Sequence, residues 1–148
     1  MSALDVIKAG LAATAKGDWA QADTMLADDL VFAGPVPEPV GKREFIGIQG
    51  ALSAAFPDWN FNVMDLKEDG DKVTGVVQIT GTHTMPLSLP LPGVPTIPPT
   101  GKQIRLPREP ISFTVKNGKI TRIDATVVPG GGVMGVLAQL GVQIPQSH

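Results

Sequence analysis

Hydrophobic positions near the start of the chain recur at spacings of three and four. Leu4, Ile7, Leu11 and Ala15 form one such stripe, the period of a helix with a single buried face. Gly17-Asp18 interrupts it. Asp18 is a capping residue type, and Ala22, Met25 and Leu26 predict a second helix that begins near Trp19 and closes at Asp28-Asp29. Leu30-Val31-Phe32 predicts a short strand. Pro35, Pro37 and Pro39 exclude regular structure after it, since each removes a backbone donor. A third helix is predicted over residues 42–56 on the stripe Phe45, Ile48, Leu52 and Ala55, and Pro57 ends it.

Beyond Pro57 the period changes to two. Residues 59–68 predict a strand, followed by a hairpin turn over residues 68–71 with Asp69-Gly70 as its central pair and a second strand over residues 73–84. Residues 85–101 hold prolines at 86, 90, 92, 95, 98 and 99 and predict a long irregular loop. A third strand over residues 103–115 is interrupted by Pro107 and Pro110, which point to a bulge or an edge. Asn117-Gly118 predicts a type I′ turn into a fourth strand over residues 120–128. A short helix over residues 133–140 is predicted to end at Gly141. Helices followed by antiparallel strands predict an α+β chain. The three N-terminal helices are the natural cover for a curved antiparallel sheet, and the cone-shaped hole left between them is a place for a small apolar ligand.

Composition narrows the function. The chain has 148 residues, one domain's worth, so a single unit over residues 1–148 is expected. Glycine (17) and proline (14) are in excess, yet 43% of residues are hydrophobic, so the chain is not of low complexity. Charged residues are 18%, below the roughly 25% usual for soluble domains. Some apolar surface is therefore expected to line a cavity or a subunit contact. A net charge of −2 without a Lys/Arg cluster argues against nucleic acid as partner. With no cysteine, disulfides, thiolate nucleophiles, iron–sulfur clusters and common structural zinc sites are excluded. The two histidines, His83 and His148, do not make a metal site. The N-terminal residues lack a signal-peptide core and no apolar run reaches membrane-spanning length, so a cytoplasmic protein without a membrane partner is expected.

Several short motifs occur in a telling order: Phe56-Pro57-Asp58, Gly70-Asp71-Lys72-Val73, Thr80-Gly81-Thr82-His83-Thr84, Pro98-Pro99-Thr100-Gly101-Lys102, Asn117-Gly118-Lys119-Ile120, and Leu137 through Gly141-Val142. With Trp19 and the segment from Met25 to Phe32, the chain resembles the SnoaL-like polyketide cyclases of the nuclear transport factor 2-like superfamily over residues 4–142. That resemblance implies a cone-shaped α+β barrel with an internal pocket, commonly a homodimer. It also implies a cofactor-independent cyclase or isomerase acting on a small apolar or polyketide-like molecule, with an aspartate on the last strand as acid/base. Ala125 and Val128 stand where relatives carry acids, and Asp124 stands where they carry tryptophan. A non-catalytic carrier of the same fold is the alternative.

Three residues are the catalytic candidates. Asp124 either faces the pocket, where desolvation would raise its pKa toward that of a general base, or faces solvent beside Arg122 or Lys119. His83 shares the parity of Val73, Val77 and Gly81 and is read either as a proton shuttle or as a cap that bonds the proline loop. Glu109, if buried near His83, would complete an acid–base pair; otherwise it joins a surface ion pair. Trp59, Phe113 and Arg105 are the ligand-binding candidates, Trp59 because its indole N–H can donate to a ligand oxygen. Asp124 and Arg105 would supply two members of an epoxide hydrolase's Asp–Arg–Asp set, with no third in view. The proline loop is read as a lid or as an arm on a dimer partner. Gly130-Gly131-Gly132 lacks the context of a phosphate loop and is read as a flexible hinge.

Overall fold

The computed structural model describes residues 2–34, 39–90, 94–126 and 128–142. Pro35, Pro37, Leu91, Pro92, Val127 and His148, on which parts of the sequence reading fall, lie outside them. Helix α1 (Ala3–Ala15) starts from a reciprocal cap in which Ser2 Oγ accepts the Asp5 N–H at 3.1 Å and the Asp5 carboxylate accepts the Ser2 N–H at 3.3 Å. Helix α2 (Trp19–Met25) is capped by Asp18, whose carboxylate accepts the Gln21 N–H. It ends earlier than the hydrophobic pattern predicts. Leu26 already has extended backbone, and the segment to Asp29 belongs to strand β1 (Leu26–Ala33). Two aspartates at a helix C-terminus oppose the helix dipole; in the strand, Asp28 instead meets Lys42 Nζ at 3.3 Å. Helix α3 (Lys42–Ala55) follows the prediction within one residue.

The first hairpin comprises β2 (Met64–Asp69) and β3 (Lys72–Val77). It begins later than the alternation predicts, because Asn62 and Asp65 have positive φ (46° and 57°) and Asn62 Nδ2 donates to the Gln78 carbonyl and to Thr80. Its turn is one residue off the expected one: Asp69 pairs with Lys72, so Gly70-Asp71 is the central pair. Each of the two longest predicted strands is broken in two. The chain bends at Gln78-Ile79 between β3 and β4 (Thr80–Thr82), and at Pro107 between β5 (Gln103–Arg105) and β6 (Glu109–Lys116). Pro110 stays inside β6, opposite Val76. Strand β4 pairs with β5, while β6 pairs with β3 and with β7 (Lys119–Ala125). The main sheet runs β1-β7-β6-β3-β2, and it is mixed rather than wholly antiparallel because β1 lies parallel to β7.

One bulge decides which side chains face inward. Thr114 pairs with Arg122 and Val115 with Ile120, leaving Thr121 as the extra residue. Ile120 therefore joins Ile123 in the core, although simple alternation groups it with Asp124. The Asn117-Gly118 turn has both residues at positive φ, 53° and 74°, as a type I′ turn requires. Helix α4 (Gly132–Gln139) ends at Gly141, with Gly141 N–H to the Ala138 carbonyl and Val142 N–H to the Leu137 carbonyl. Among the described residues no helix is long and apolar enough to cross a membrane.

The proline-rich segment is neither an open lid nor a free arm. Leu87 and Ile97 exchange two backbone hydrogen bonds, and Leu87, Leu89 and Ile97 are buried in the molecule's own core.

Two of the motifs that carried the resemblance meet here. Asp58 accepts the Thr82 N–H at 2.6 Å and the Thr82 hydroxyl at 2.8 Å. Phe56 stacks on His83 at 5.2 Å and lies so close to Gly81 that an added Cβ would be 3.1 Å from the ring. These bonds to Thr82 hold the Asp58 carboxyl below its ordinary range, so their contribution is present above the ordinary value of 3.8 and lost as the pH falls through the lowered one. Asp58→Ala is expected to cost about 1 kcal/mol, a fall of roughly 2–4 °C in Tm. Thermal melts should show the difference shrinking below pH 3.8.

Candidate active site

Between the sheet and helices α1, α3 and α4 lies a chamber of about 100 Å³. Its helical wall follows from spacing. Phe45, Ile48, Gln49 and Leu52 occupy one face of α3, at positions i, i+3, i+4 and i+7. From α1 come Leu11 and Thr14, and from α4 come Val133 and Val136. Helix α2 contributes none of the described lining residues, while α1 and α3 cover the chamber as the sequence reading expects and α4 joins them. The sheet contributes Glu109, Ile111 and Phe113 from β6 and Ile123 and Ala125 from β7.

Among the described residues, twenty line the chamber and Glu109 alone of them is ionisable. It is 3% exposed. Burial in this apolar wall pushes its pKa above the ordinary 4.5, against the smaller pull of a hydrogen bond from the Gly132 N–H. That N–H, at the start of α4, donates to Oε1 at 3.3 Å. The glycine run is not a free hinge. Gly132 takes φ +70°, a conformation glycine adopts without strain. Gly131 lies under the carboxyl group, where an added Cβ would sit 2.8 Å from Glu109 Cδ and 2.9 Å from both oxygens. Gly131→Ala should therefore push the carboxyl out of place. We expect a loss of about 1–3 kcal/mol, read by thermal unfolding, with the Glu109 titration returning toward its ordinary range.

The remaining polar groups in the wall are few. Thr14 Oγ1 is satisfied by donating to the Gly10 carbonyl at 2.9 Å. Gln49 Oε1 and Trp59 Nε1 are buried without a hydrogen-bond partner among the described residues. Trp59 sits on the connection after α3, its ring 5.4 Å from Phe56 and perpendicular to Phe61 at 6.1 Å. Leu11, Thr14, Trp59 and Phe61 also line a wider, polar groove that includes Lys16, Ser53 and Asn60.

The candidates thus separate. Glu109, Trp59 and Phe113 line the chamber; Asp124, His83 and Arg105 do not. Asp124 takes the second of its two readings: it accepts from Arg122 Nε at 2.8 Å, with the two side chains 40% and 49% exposed. The bulge at Thr121 leaves Ile123 and Ala125 as the inward pair instead. His83 is fully buried, but beyond the bend in the sheet its face covers Phe56. Its Nδ1 accepts the Thr100 N–H at 3.2 Å and lies 2.9 Å from the Thr100 hydroxyl, and burial pushes its pKa down. That is an anchor for the end of the proline segment, made to a backbone N–H rather than to a carbonyl. Arg105 is exposed, its backbone held by the Gln139 amide, so the Asp–Arg–Asp arrangement is not formed. The sequence reading passed over Gln49, although a polar residue inside the apolar stripe of α3 was the available signal.

A family model described as SnoaL-like domain matches residues 7–123. The chain belongs to this family. The fold of this SnoaL-like domain is shared with IdmH of Streptomyces antibioticus, provisionally a polyketide cyclase: 25% identity, TM-score 0.69, covering 96% of this chain and 100% of that one. A SnoaL-like polyketide cyclase of Agrobacterium tumefaciens aligns at 16% identity and TM-score 0.67, over 95% of this chain and 99% of that one. An "LEH-like" epoxide hydrolase of M. tuberculosis aligns at 18% identity and TM-score 0.66, over 94% of this chain and 92% of that one. No curated protein matches the chain.

Proposed function

We propose that this SnoaL-like domain takes a compact, uncharged carbonyl compound into its chamber and moves a proton at the carbon next to the carbonyl, as a cyclisation or isomerisation requires. Glu109 is the acid/base. The observation that carries this reading is a carboxyl group, the one ionisable group among the described lining residues, buried in an apolar wall that raises its pKa. A carboxyl so tuned exchanges a proton closer to neutral pH than an ordinary glutamate. In its ionised form Glu109 takes the proton from carbon while the electron pair moves onto the carbonyl oxygen; in its protonated form it returns the proton to the product. Ala125 stands where the resemblance places an acid, and it faces the chamber. Glu109 supplies a carboxylate to that chamber from the neighbouring strand, two residues along from Ile111, the partner of Ala125.

Size constrains the ligand. A cavity of roughly 150 Å³ admits benzene, so about 100 Å³ suits a group smaller than a benzene ring, such as an acetyl group. A longer molecule would place its compact end in the chamber and its remainder in the groove that shares Trp59 and Phe61.

The test is solvent-deuterium exchange. Incubated in D₂O with 4-hydroxyacetophenone, the protein should speed incorporation of deuterium at the methyl carbon beside the ketone, followed by proton NMR. A carrier function, which the apolar Ala125 favours, predicts a bound ketone whose exchange rate equals that in buffer.

A further inference from the structure

Glu109 accounts for the proton but not for the two other polar groups in the wall. Gln49 Oε1 and Trp59 Nε1 are buried and have no hydrogen-bond partner among the described residues, whereas native proteins pair nearly all such atoms. Gln49 is 6% exposed and lies within the apolar stripe of α3, between Phe45 and Leu52. Its helical neighbours on that face, Phe45, Ile48 and Leu52, are hydrocarbon, so the stripe itself does not call for an amide. Trp59 is fixed by its aromatic neighbours Phe56 and Phe61, and its N–H takes no part in holding the ring. Both side chains line the chamber that contains Glu109.

We infer that Gln49 and Trp59 are the specificity-determining pair, and that the ligand is a hydroxy-carbonyl compound. This rests on the reading of the chamber as a carbonyl site and narrows its substrate class. An indole nitrogen donates only, so Trp59 Nε1–H faces the carbonyl oxygen. An amide oxygen accepts only, so Gln49 Oε1 faces a hydroxyl. The Trp59 hydrogen bond strengthens as charge builds on the carbonyl oxygen when Glu109 takes the carbon-bound proton. A ligand with only one of the two groups leaves a buried polar atom unpaired.

Four probes of one shape test this: 4-hydroxyacetophenone, acetophenone, 4-ethylphenol and ethylbenzene, titrated by calorimetry and by the indole NMR signals. The chain has two tryptophans, Trp19 and Trp59, so Trp59→Phe assigns the spectrum. Each hydrogen bond should contribute roughly tenfold in affinity. The hydroxyketone should bind about tenfold more tightly than either single-function probe, and the Trp59 N–H signal should move with the two ketones alone. Gln49→Leu should abolish the tenfold advantage of 4-hydroxyacetophenone over acetophenone; Gln49→Met repeats the test with an unbranched side chain. All four probes binding within threefold of one another, or both Gln49 variants keeping the tenfold ratio, overturns the pairing. No binding by any probe overturns the pairing and the carbonyl-site reading together. The predicted preferences without deuterium exchange uphold the pairing and overturn only the acid–base role of Glu109.

Discussion

Glu109→Gln is expected to melt at a higher temperature than the parent at neutral pH while losing deuterium exchange into a bound ketone by roughly 10²–10⁴-fold. The two effects share one cause. In the fold, burial raises the pKa of Glu109 above the ordinary 4.5, so the folded form holds its proton more tightly than the unfolded chain does. Below that ordinary value both states are protonated and the residue costs nothing. As the pH rises past it, the unfolded chain ionises first and the parent loses stability, until the raised folded value is passed and the deficit becomes constant. Glutamine does not titrate, and its amide oxygen can still accept from the Gly132 N–H. The variant should therefore be the more stable protein at neutral pH, with the gain vanishing in acid. A stability cost held at a chemically useful group is a recurrent trade in active sites. Melting curves of both proteins across the acid range, beside the exchange assay, check it; a variant that melts below the parent at every pH would contradict the account.

Leu87→Ala should lose about 2–5 kcal/mol, or about 10 °C in Tm, with ligand affinity little changed. Leu87 is fully buried and is pinned in place by paired backbone bonds to Ile97 of 2.9 and 2.8 Å. Truncating it leaves a void that this pinned backbone pair cannot collapse to fill. None of the described residues of that segment lines the chamber. A lid would behave in the opposite way, changing affinity and leaving the melt almost untouched.

The sequence was most legible where one strong local signal acted alone. The helix α1, the stripe of α3, the Asp18 cap, the Asn117-Gly118 turn and the Gly141 terminus all stand where pattern and turn chemistry place them, although the buried face of α1 runs through Val6, Ile7, Gly10 and Ala13 and shares only Ile7 with the stripe Leu4, Ile7, Leu11 and Ala15. It was least legible where tertiary contacts override local preference. The bulge at Thr121, which turns Ala125 inward and leaves Asp124 outside, arises from pairing with β6 and has no mark in the alternation. Glu109 shares its parity with Ile111 and Phe113, but Pro107 made any extrapolation along that strand insecure. Its burial depends on α4, whose first glycines close over it. Two of the motifs that carried the family resemblance proved to be a structural joint of Phe56, Asp58, Gly81, Thr82 and His83, which explains why they reported the fold more clearly than the chemistry.

The most direct test of the central claim needs no substrate. Glutamates labelled with ¹³C at the carboxyl carbon give one signal each for Glu38, Glu44, Glu68 and Glu109, and Glu109→Gln identifies the fourth. The account predicts that the Glu109 carboxyl titrates distinctly above the ordinary 4.5. A Glu109 signal that titrates at or below that value would contradict it.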